Sequence, residues 1–373
     1  MDGLRVAVIG AGRWAQWAHL PGWARDDRVE VVALVDTDPR VLGEVAERFG
    51  VRRTSTDYRE VVDDPSVDVV DVATANSAHY EVAAAAIEAG KHVLCEKPVH
   101  RDFRRTRALA EAAKTRGLKT KLGFTFRYAP AVRYAKSLID AGFIGTPYVF
   151  NGFEQNSQWI DPATPMRQVD PDADPTVIAT SSIEGYGAPI IDIMHWWAGG
   201  RLTSVVGTMR NFVPERVVWA TGRRQRLNID DGDMWICEFD NDLIASIQSS
   251  YVTVGNLPGI EARVYGSEGA LIVRLVAESG VCQTIRTATK DAAEFVEREI
   301  PAEFFPPGGA STEDWGALFY ANLCADFATE VLDGGDTNQG DFEQGALVQE
   351  TINAFEASFH RRAWVDFPLG DAA

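Results

Sequence analysis

Two short stretches hold residue types whose spacing points to chemistry. His92-Val93-Leu94-Cys95-Glu96-Lys97-Pro98 places a carboxylate and an amine directly after an apolar run. His92–Cys95 predicts a short buried strand. Proline cannot continue a central strand, so the chain turns just after Lys97. In an open parallel sheet, ligands bind at the carboxyl ends of the strands. Lys97 is therefore expected at a sharp bend facing the ligand crevice; the plain alternative is a surface lysine in a turn. The second stretch is Gly10-Ala11-Gly12-Arg13-Trp14-Ala15, which follows the apolar run Arg5–Ile9. Gly10 permits a tight turn, Gly12 lets backbone approach a pyrophosphate, and Ala15 lets the next helix pack close to the strand. The helix start then offers free N–H groups to phosphate.

The surrounding elements give both stretches a frame. A second strand, Val29–Val35, ends in Asp36, about 20 residues beyond the glycines. A carboxylate there accepts hydrogen bonds from the adenosine ribose hydroxyls and repels a 2′-phosphate. Thr37 and Asp38 follow it and Arg40 is the nearest cation, so NAD is favoured over NADP. The pattern then continues with helix Pro39–Phe49, strand Val67–Ala73, helix His79–Ala89, the strand leading to Lys97, helix Asp102–Arg116 and strand Lys119–Gly123. Strands alternating with helices predict a doubly wound parallel sheet. Thr74 and Asn76 lie at a strand exit on the ligand edge. His79 reads as a structural helix-start residue.

Composition narrows the function classes. A chain of 373 residues predicts two domains. With 46% hydrophobic and 24% charged residues, it has the make-up of a soluble globular protein. No apolar run reaches the roughly 20 residues of a membrane helix, and no secretory leader is expected at the amino terminus. A net charge of −18 argues against nucleic-acid binding. Cys95, Cys237, Cys282 and Cys324 are scattered, so free thiols in a reducing, cytoplasmic compartment are expected. No His, Cys and carboxylate cluster has metal-ligand spacing.

Taken together, Gly10-x-Gly12-x-x-Ala15, Asp36, Thr74-Ala75-Asn76-x-x-His79 and Gly90-Lys91-His92-Val93-Leu94-Cys95-Glu96-Lys97-Pro98 resemble the glucose–fructose oxidoreductase / inositol dehydrogenase / MocA (Gfo/Idh/MocA) family. Gly123-Phe124-x-x-Arg127-Tyr128-x-Pro130, Gly266-Ser267-Glu268-Gly269-Ala270-Leu271 and the carboxyl-terminal helix Phe342–Ala363 extend the resemblance over nearly the whole chain. It implies an α/β protein. A Rossmann domain would occupy residues 1–125. A substrate-binding and oligomerisation domain with an open, mainly antiparallel sheet would occupy residues 126–373, its last helix packing back on the first domain. Substrate would sit between the domains. The family acts on CH–OH groups of sugars and cyclitols, and many members are homodimers or homotetramers. By this resemblance, Gly10, Gly12, Arg13, Trp14, Ala15, Asp36, Thr74, Asn76, Glu96 and Lys97 would form the cofactor site. Lys97 would also contact the reacting hydroxyl and shuttle its proton, although a lysine near its ordinary pKa of about 10.4 is a poor base until its surroundings tune it downward. Arg127 would lie on the substrate side.

In the second half, strands are expected at Pro147–Glu154, Leu202–Asn211, Met234–Phe239, Leu243–Tyr251, Gly259–Tyr265 and Ala270–Val276. The long segment Asn156–Ser182 reads as a wall or lid. Gln155, Asn156 and Gln158 are candidate hydroxyl binders, and Trp159 a platform for a sugar ring. Arg167 and the run Arg223-Arg224-Gln225-Arg226 are candidate anion contacts or plain surface. The family carries Asp-x-x-x-His followed, three residues on, by a second Asp. Counting back from Gly199, Asp192 takes the second Asp position and substrate contact, while Gly185 and Pro189 replace the first Asp and the His. Tyr186 and His195 are candidate replacements; a rival register makes Asp192 the first Asp and brings His195 near the catalytic position. Three functions follow: an NAD-dependent sugar or cyclitol dehydrogenase; a glycosidase using NAD through transient oxidation, elimination, water addition and re-reduction; and a non-catalytic NAD- and sugar-binding regulator.

Overall fold

The structure, a computed structural model, describes residues 3–166, 177–278, 281–292, 294–310, 314–335 and 339–370. The chain divides into two compact units, Met1–Ala129 with Ala302–Gln349, and Pro130–Pro301 with Glu350–Ala373. The first break thus falls at Ala129/Pro130, and residues 302–349 return to the first unit instead of completing the second.

The first unit is built from β1 (Leu4–Ile9), α1 (Leu20–Trp23), β2 (Val29–Val35), α2 (Pro39–Phe49), β3 (Arg53–Ser55), α3 (Arg59–Val62), β4 (Val69–Val72), α4 (Asn76–Glu88), β5 (His92–Cys95), α5 (Phe103–Thr115) and β6 (Thr120–Leu122). A single π-type turn, Ala15–His19, leads into α1. Among the described residues the strands form one parallel sheet in the order β3-β2-β1-β4-β5-β6. Both faces of its central strands are covered, which is why β4 and β5 read as nearly unbroken apolar runs. The order reverses at β1, so the crevice opens beyond the carboxyl ends of β1 and β4.

The second unit begins with α6 (Pro130–Asp140), β7 (Pro147–Gln155), α7 (Ala188–Ala198), β8 (Leu202–Arg210), β9 (Glu215–Val217), β10 (Arg224–Arg226), β11 (Gly232–Phe239), β12 (Ile244–Ser250), β13 (Ile260–Gly266), β14 (Gly269–Glu278), β15 (Val281–Thr289) and β16 (Val296–Glu297). With β17 (Val365–Asp366), nine of these strands form a mixed, mainly antiparallel sheet in the order β16-β15-β14-β13-β7-β12-β11-β8-β17, in which β7 and β12 run parallel. β11 shows the logic of a sheet covered on one face: Trp235, Cys237 and Phe239 are buried, while Met234, Ile236 and Glu238 are exposed. Gly152 makes room for α7, because a Cβ there would stand 2.5 Å from the Ile190 side chain.

Helices α8 (Trp315–Leu332) and α9 (Phe342–Arg361) complete the chain. In the first unit α8 lies against α1, where Gly22 permits the approach: a Cβ there would stand 3.1 Å from Tyr320. Lys121 of β6 and Glu330 of α8 form an ion pair at 2.6 Å with both side chains almost fully enclosed. A buried pair of this kind fixes how two elements meet more than it adds net stability. None of the described helices is long and apolar enough to cross a membrane.

Candidate active site

The glycine turn leaves β1 directly into the crevice. Gly10 has φ +103°, and a Cβ on it would come within 2.6 Å of the Ala73 carbonyl, so only glycine fits. A Cβ on Gly12 would meet nothing within 4 Å. The space above Gly12 is open, and that is the space a pyrophosphate needs. Asp36 stands at the exit of β2 with Oδ2 accepting from the Ala11 N–H at 2.8 Å and Oδ1 from the Asp38 N–H at 2.9 Å. Its carboxylate is thereby turned toward the glycine turn, where a ribose would lie. Arg40 is folded back on Asp38 at 3.3 Å. Arg13 and Asn76 are exposed at this edge and Thr74 is half-buried there. The turn, the carboxylate and the strand order all fit a dinucleotide held at the first unit's sheet edge.

Lys97 follows the last residues of β5 and is half-buried; its peptide bond to Pro98 is cis. The bend is gripped from both sides. On one side the His79 ring lies 2.8 Å from the Pro98 carbonyl and 3.1 Å from the Thr74 carbonyl, joining the exits of β4 and β5. On the other, Glu96 turns inward. Its Oε1 accepts from the Trp14 indole at 2.8 Å and from the Tyr320 hydroxyl, and its Oε2 accepts from the Lys97 N–H at 3.2 Å. Behind Glu96 lies His19, with Nε2 at 3.4 Å from Oε1 and Nδ1 at 2.8 Å from Asp71. Trp23 donates to the same Asp71 carboxylate at 2.7 Å.

These neighbours set the charges. Burial alone would strip the proton from His19, but the charge and hydrogen bond of Asp71, reinforced by Glu96, raise its pKa to about 9. Burial alone would raise Glu96; the hydrogen bond and charge of His19, the Tyr320 hydroxyl and the Lys97 ammonium bring it down to about 2. Burial, with the charges of Glu96 and Asp71, pushes the Tyr320 phenol up, so it remains a donor.

In the second unit, Tyr186 stands on the turn before α7 and donates to Gln158 Oε1 at 2.7 Å. It packs edge-on against Trp159 and Tyr251, with ring centroids 5.7 and 5.5 Å away. Burial and the Glu154 charge push its phenol up, so at neutral pH it offers a proton and cannot accept one. The backbone of Trp159 is tied to Tyr251 and its carbonyl accepts from Arg216, which pairs with Asp231 at 2.9 Å with both side chains fully buried. Asn156 is fully buried and its Oδ1 accepts from the Gln158 N–H at 3.0 Å. Gln155 projects beside Gln248 instead, at 3.4 Å. Asp192 is fully buried on α7. His195, one turn later, lies 2.8 Å from the Thr351 hydroxyl and packs on Phe239. Arg127 is buried in the first unit, beside Gly340. Arg167 lies outside the described residues.

Known families now match this arrangement. Residues 4–124 match the model described as an oxidoreductase family with an NAD-binding Rossmann fold, and residues 132–272 match the GFO/IDH/MocA C-terminal domain. The chain belongs to the Gfo/Idh/MocA family. Over 99% of its length and 99% of the relative's, it is 26% identical to a levoglucosan dehydrogenase of Pseudarthrobacter phenanthrenivorans. It is 28% identical to the scyllo-inositol 2-dehydrogenase (NAD(+)) of Bacillus subtilis, over 72% of this chain and 73% of that one. The crystallised levoglucosan dehydrogenase complex with NADH and levoglucosan superposes with a TM-score of 0.85 at 25% identity, covering 98% of this chain and all of that one.

In this Gfo/Idh/MocA protein Gly10, Gly12, Asp36, Thr74 and Asn76 stand at strand exits of the first unit's sheet. His19, Asp71 and Tyr320 were not visible as site residues from the motifs. The one available signal was Asp71 itself, a carboxylate inside the apolar run Val69-Val70-Asp71-Val72, which demands a buried partner. Replacing Asp36 with alanine is expected to weaken NAD binding about 10- to 100-fold, the worth of hydrogen bonds to a charged acceptor, and to narrow the gap between NAD and NADP. Titration calorimetry with each nucleotide reads both effects.

Proposed function

We propose that this chain is an NAD-dependent dehydrogenase that oxidises a CH–OH group of a sugar, anhydrosugar or cyclitol. The observation that carries the reading is the Trp14–Glu96 hydrogen bond. It ties the glycine turn to the Lys97 bend, so a nucleotide-facing loop and an amine stand on one sheet edge as a unit. Gly10, Gly12, Ala15 and Asp36 would hold the cofactor, with Arg13, Thr74 and Asn76 around it. Bound NAD would supply the hydride acceptor. Lys97 takes the proton from the substrate hydroxyl as the carbinol carbon is oxidised and passes it on toward solvent. Tyr186, kept protonated, turns its single O–H from Gln158 to a substrate oxygen when substrate binds, with Asp192, Asn156, Trp159, Gln155 and Arg127 as further substrate-side residues. The relatives named for levoglucosan and scyllo-inositol support the substrate class. The exposed Met234, Ile236 and Ile244 on the outer sheet face support a homodimer or homotetramer. Reduced, buried cysteines suit a cytoplasmic enzyme.

The test is NADH absorbance with NAD and a panel of levoglucosan, inositols, aldoses and glycosides. NADH formation supports the reading. Release of an aglycone that requires NAD without NADH accumulating replaces it with transient-redox hydrolysis, and NAD binding with neither product replaces it with a binding protein. With a turned-over sugar, Tyr186→Phe is expected to lower kcat/KM about 3- to 10-fold, the worth of one hydrogen bond.

A further inference from the structure

We infer that His19 and Asp71 are positioning residues for Lys97, holding the Glu96 carboxylate and through it the geometry and charge of the Lys97 bend. The inference rests on the reading of Lys97 as the proton-handling group.

The first argument is location. His19 and Asp71 are both 0% exposed. Each ionised group enclosed in a protein costs several kcal/mol in lost hydration, and apolar residues of similar size usually serve stability as well or better. The Asp71–His19–Glu96 row therefore has no evident purpose as packing alone. It runs from β4 through the turn after Ala15 and ends one residue from Lys97.

The second argument is constraint. Trp14, Tyr320 and His19 converge on Glu96 Oε1, while Oε2 holds the Lys97 N–H. Gly123 closes the remaining side: a Cβ there would run into the Glu96 carboxylate and the Tyr320 hydroxyl. Asp71 sets which ring edge of His19 faces Glu96, because Nδ1 is committed to the Asp71 carboxylate. With His79 on the Pro98 carbonyl, the bend is tied on both flanks. A proton-transfer amine needs this, since small misplacements cost much of the rate.

The third argument is charge. Asp71, His19 and Glu96 form an anion–cation–anion series, and the Lys97 ammonium interacts with its last member. Removing the cation leaves the Glu96 carboxylate beside Lys97 uncompensated and favours the ammonium form of Lys97. Neutralising Asp71 takes away the main support of the His19 proton, so it weakens the same cation and acts in the same direction.

The experiment is competitive labelling of the intact protein with trace acetic anhydride across pH, read by peptide mass spectrometry, with exposed Lys114 as internal standard. His19→Gln is expected to move the Lys97 labelling midpoint up by at least half a pH unit and Asp71→Asn to move it the same way by less, with the Lys114 profile unchanged. Calorimetry should show NAD affinity within about threefold of wild type in both. On a sugar that the wild type oxidises, kcat should fall about 10- to 100-fold with KM little changed, and less in Tyr320→Phe, which keeps the ring and loses one donor. Tyr320→Phe also carries the test if the buried-charge variants fail to fold: its Lys97 labelling rate at fixed pH should change at least twofold. Unchanged Lys97 labelling in folded variants overturns the inference. Full turnover by Lys97→Ala overturns instead the reading on which it rests, so the two failures are distinguishable.

Discussion

Lys97→Ala is expected to lower kcat about 10²- to 10⁴-fold, the usual worth of a positioned acid–base group, while leaving NAD binding within a few fold. The split follows from the geometry. The groups proposed to hold the nucleotide are the glycine turn and Asp36, whose hydrogen bonds run to Ala11 and Asp38 and do not involve the Lys97 side chain. Glu96 keeps its contacts to Trp14, Tyr320 and His19 in the variant, and its hydrogen bond to residue 97 is made by the backbone N–H. Lys97→Arg separates two roles that alanine removes together. A guanidinium retains the positive charge but does not release a proton near neutral pH. If Lys97 transfers a proton, the arginine variant is as impaired as the alanine one. If it only stabilises a developing alkoxide, arginine restores much of the rate. Stopped-flow NADH absorbance and calorimetry on the three proteins decide between these outcomes, and retained turnover in Lys97→Ala would sink the assignment.

What could be read from the sequence divides by distance along the chain. Gly10, Asp36 and Lys97 each stand at the end of a strand whose apolar pattern is local, so a few neighbours are enough to place them. The Rossmann half of the fold was legible for the same reason, because its strands alternate with helices in short regular units. The charged row behind Lys97 was not. His19 meets Asp71 across 52 residues, and Tyr320 reaches Glu96 across 224. No spacing rule encodes such contacts. Helix α8 was missed because Trp315–Leu332 is apolar on most of its circumference, so it shows no stripe. Residues 302–349, α8 among them, belong to the first compact unit. The second unit's site was legible as residue types, such as Trp159 and Tyr186, but not as a cluster. Tyr251, just after β12, and the buried pair of Arg216 in β9 with Asp231, just before β11, lie far along the chain from Trp159.

The charged row also makes stability depend on pH in a direction opposite to the common acid-labile pattern. His19 has a folded pKa of about 9 against an ordinary 6.5, so the folded protein holds that proton more tightly than the unfolded chain does. Its contribution is complete below pH 6.5 and is lost as pH rises through 9. Glu96, at about 2 against 4.5, contributes fully above pH 4.5 and loses that contribution as pH falls toward 2. The pair is therefore fully stabilising only between about pH 4.5 and 6.5. At about 1.4 kcal/mol for each pH unit between folded and unfolded values, the wild type should lose about 3 kcal/mol of stability from pH 6.5 to 9 that His19→Gln does not lose. The comparison cancels groups outside the row. Burial raises Asp233 in the second unit to about 7, and its contribution, complete below pH 3.8 and gone above 7, is common to both proteins. Urea unfolding at pH 6.5, 7.5 and 9, followed by tryptophan fluorescence, measures the difference. Parallel curves for wild type and variant would mean that His19 is neutral in the fold and that the row is not a chain of charges. A wild-type curve that falls toward alkaline pH about 3 kcal/mol further than the variant's is the expected signature of a buried imidazolium held between two carboxylates.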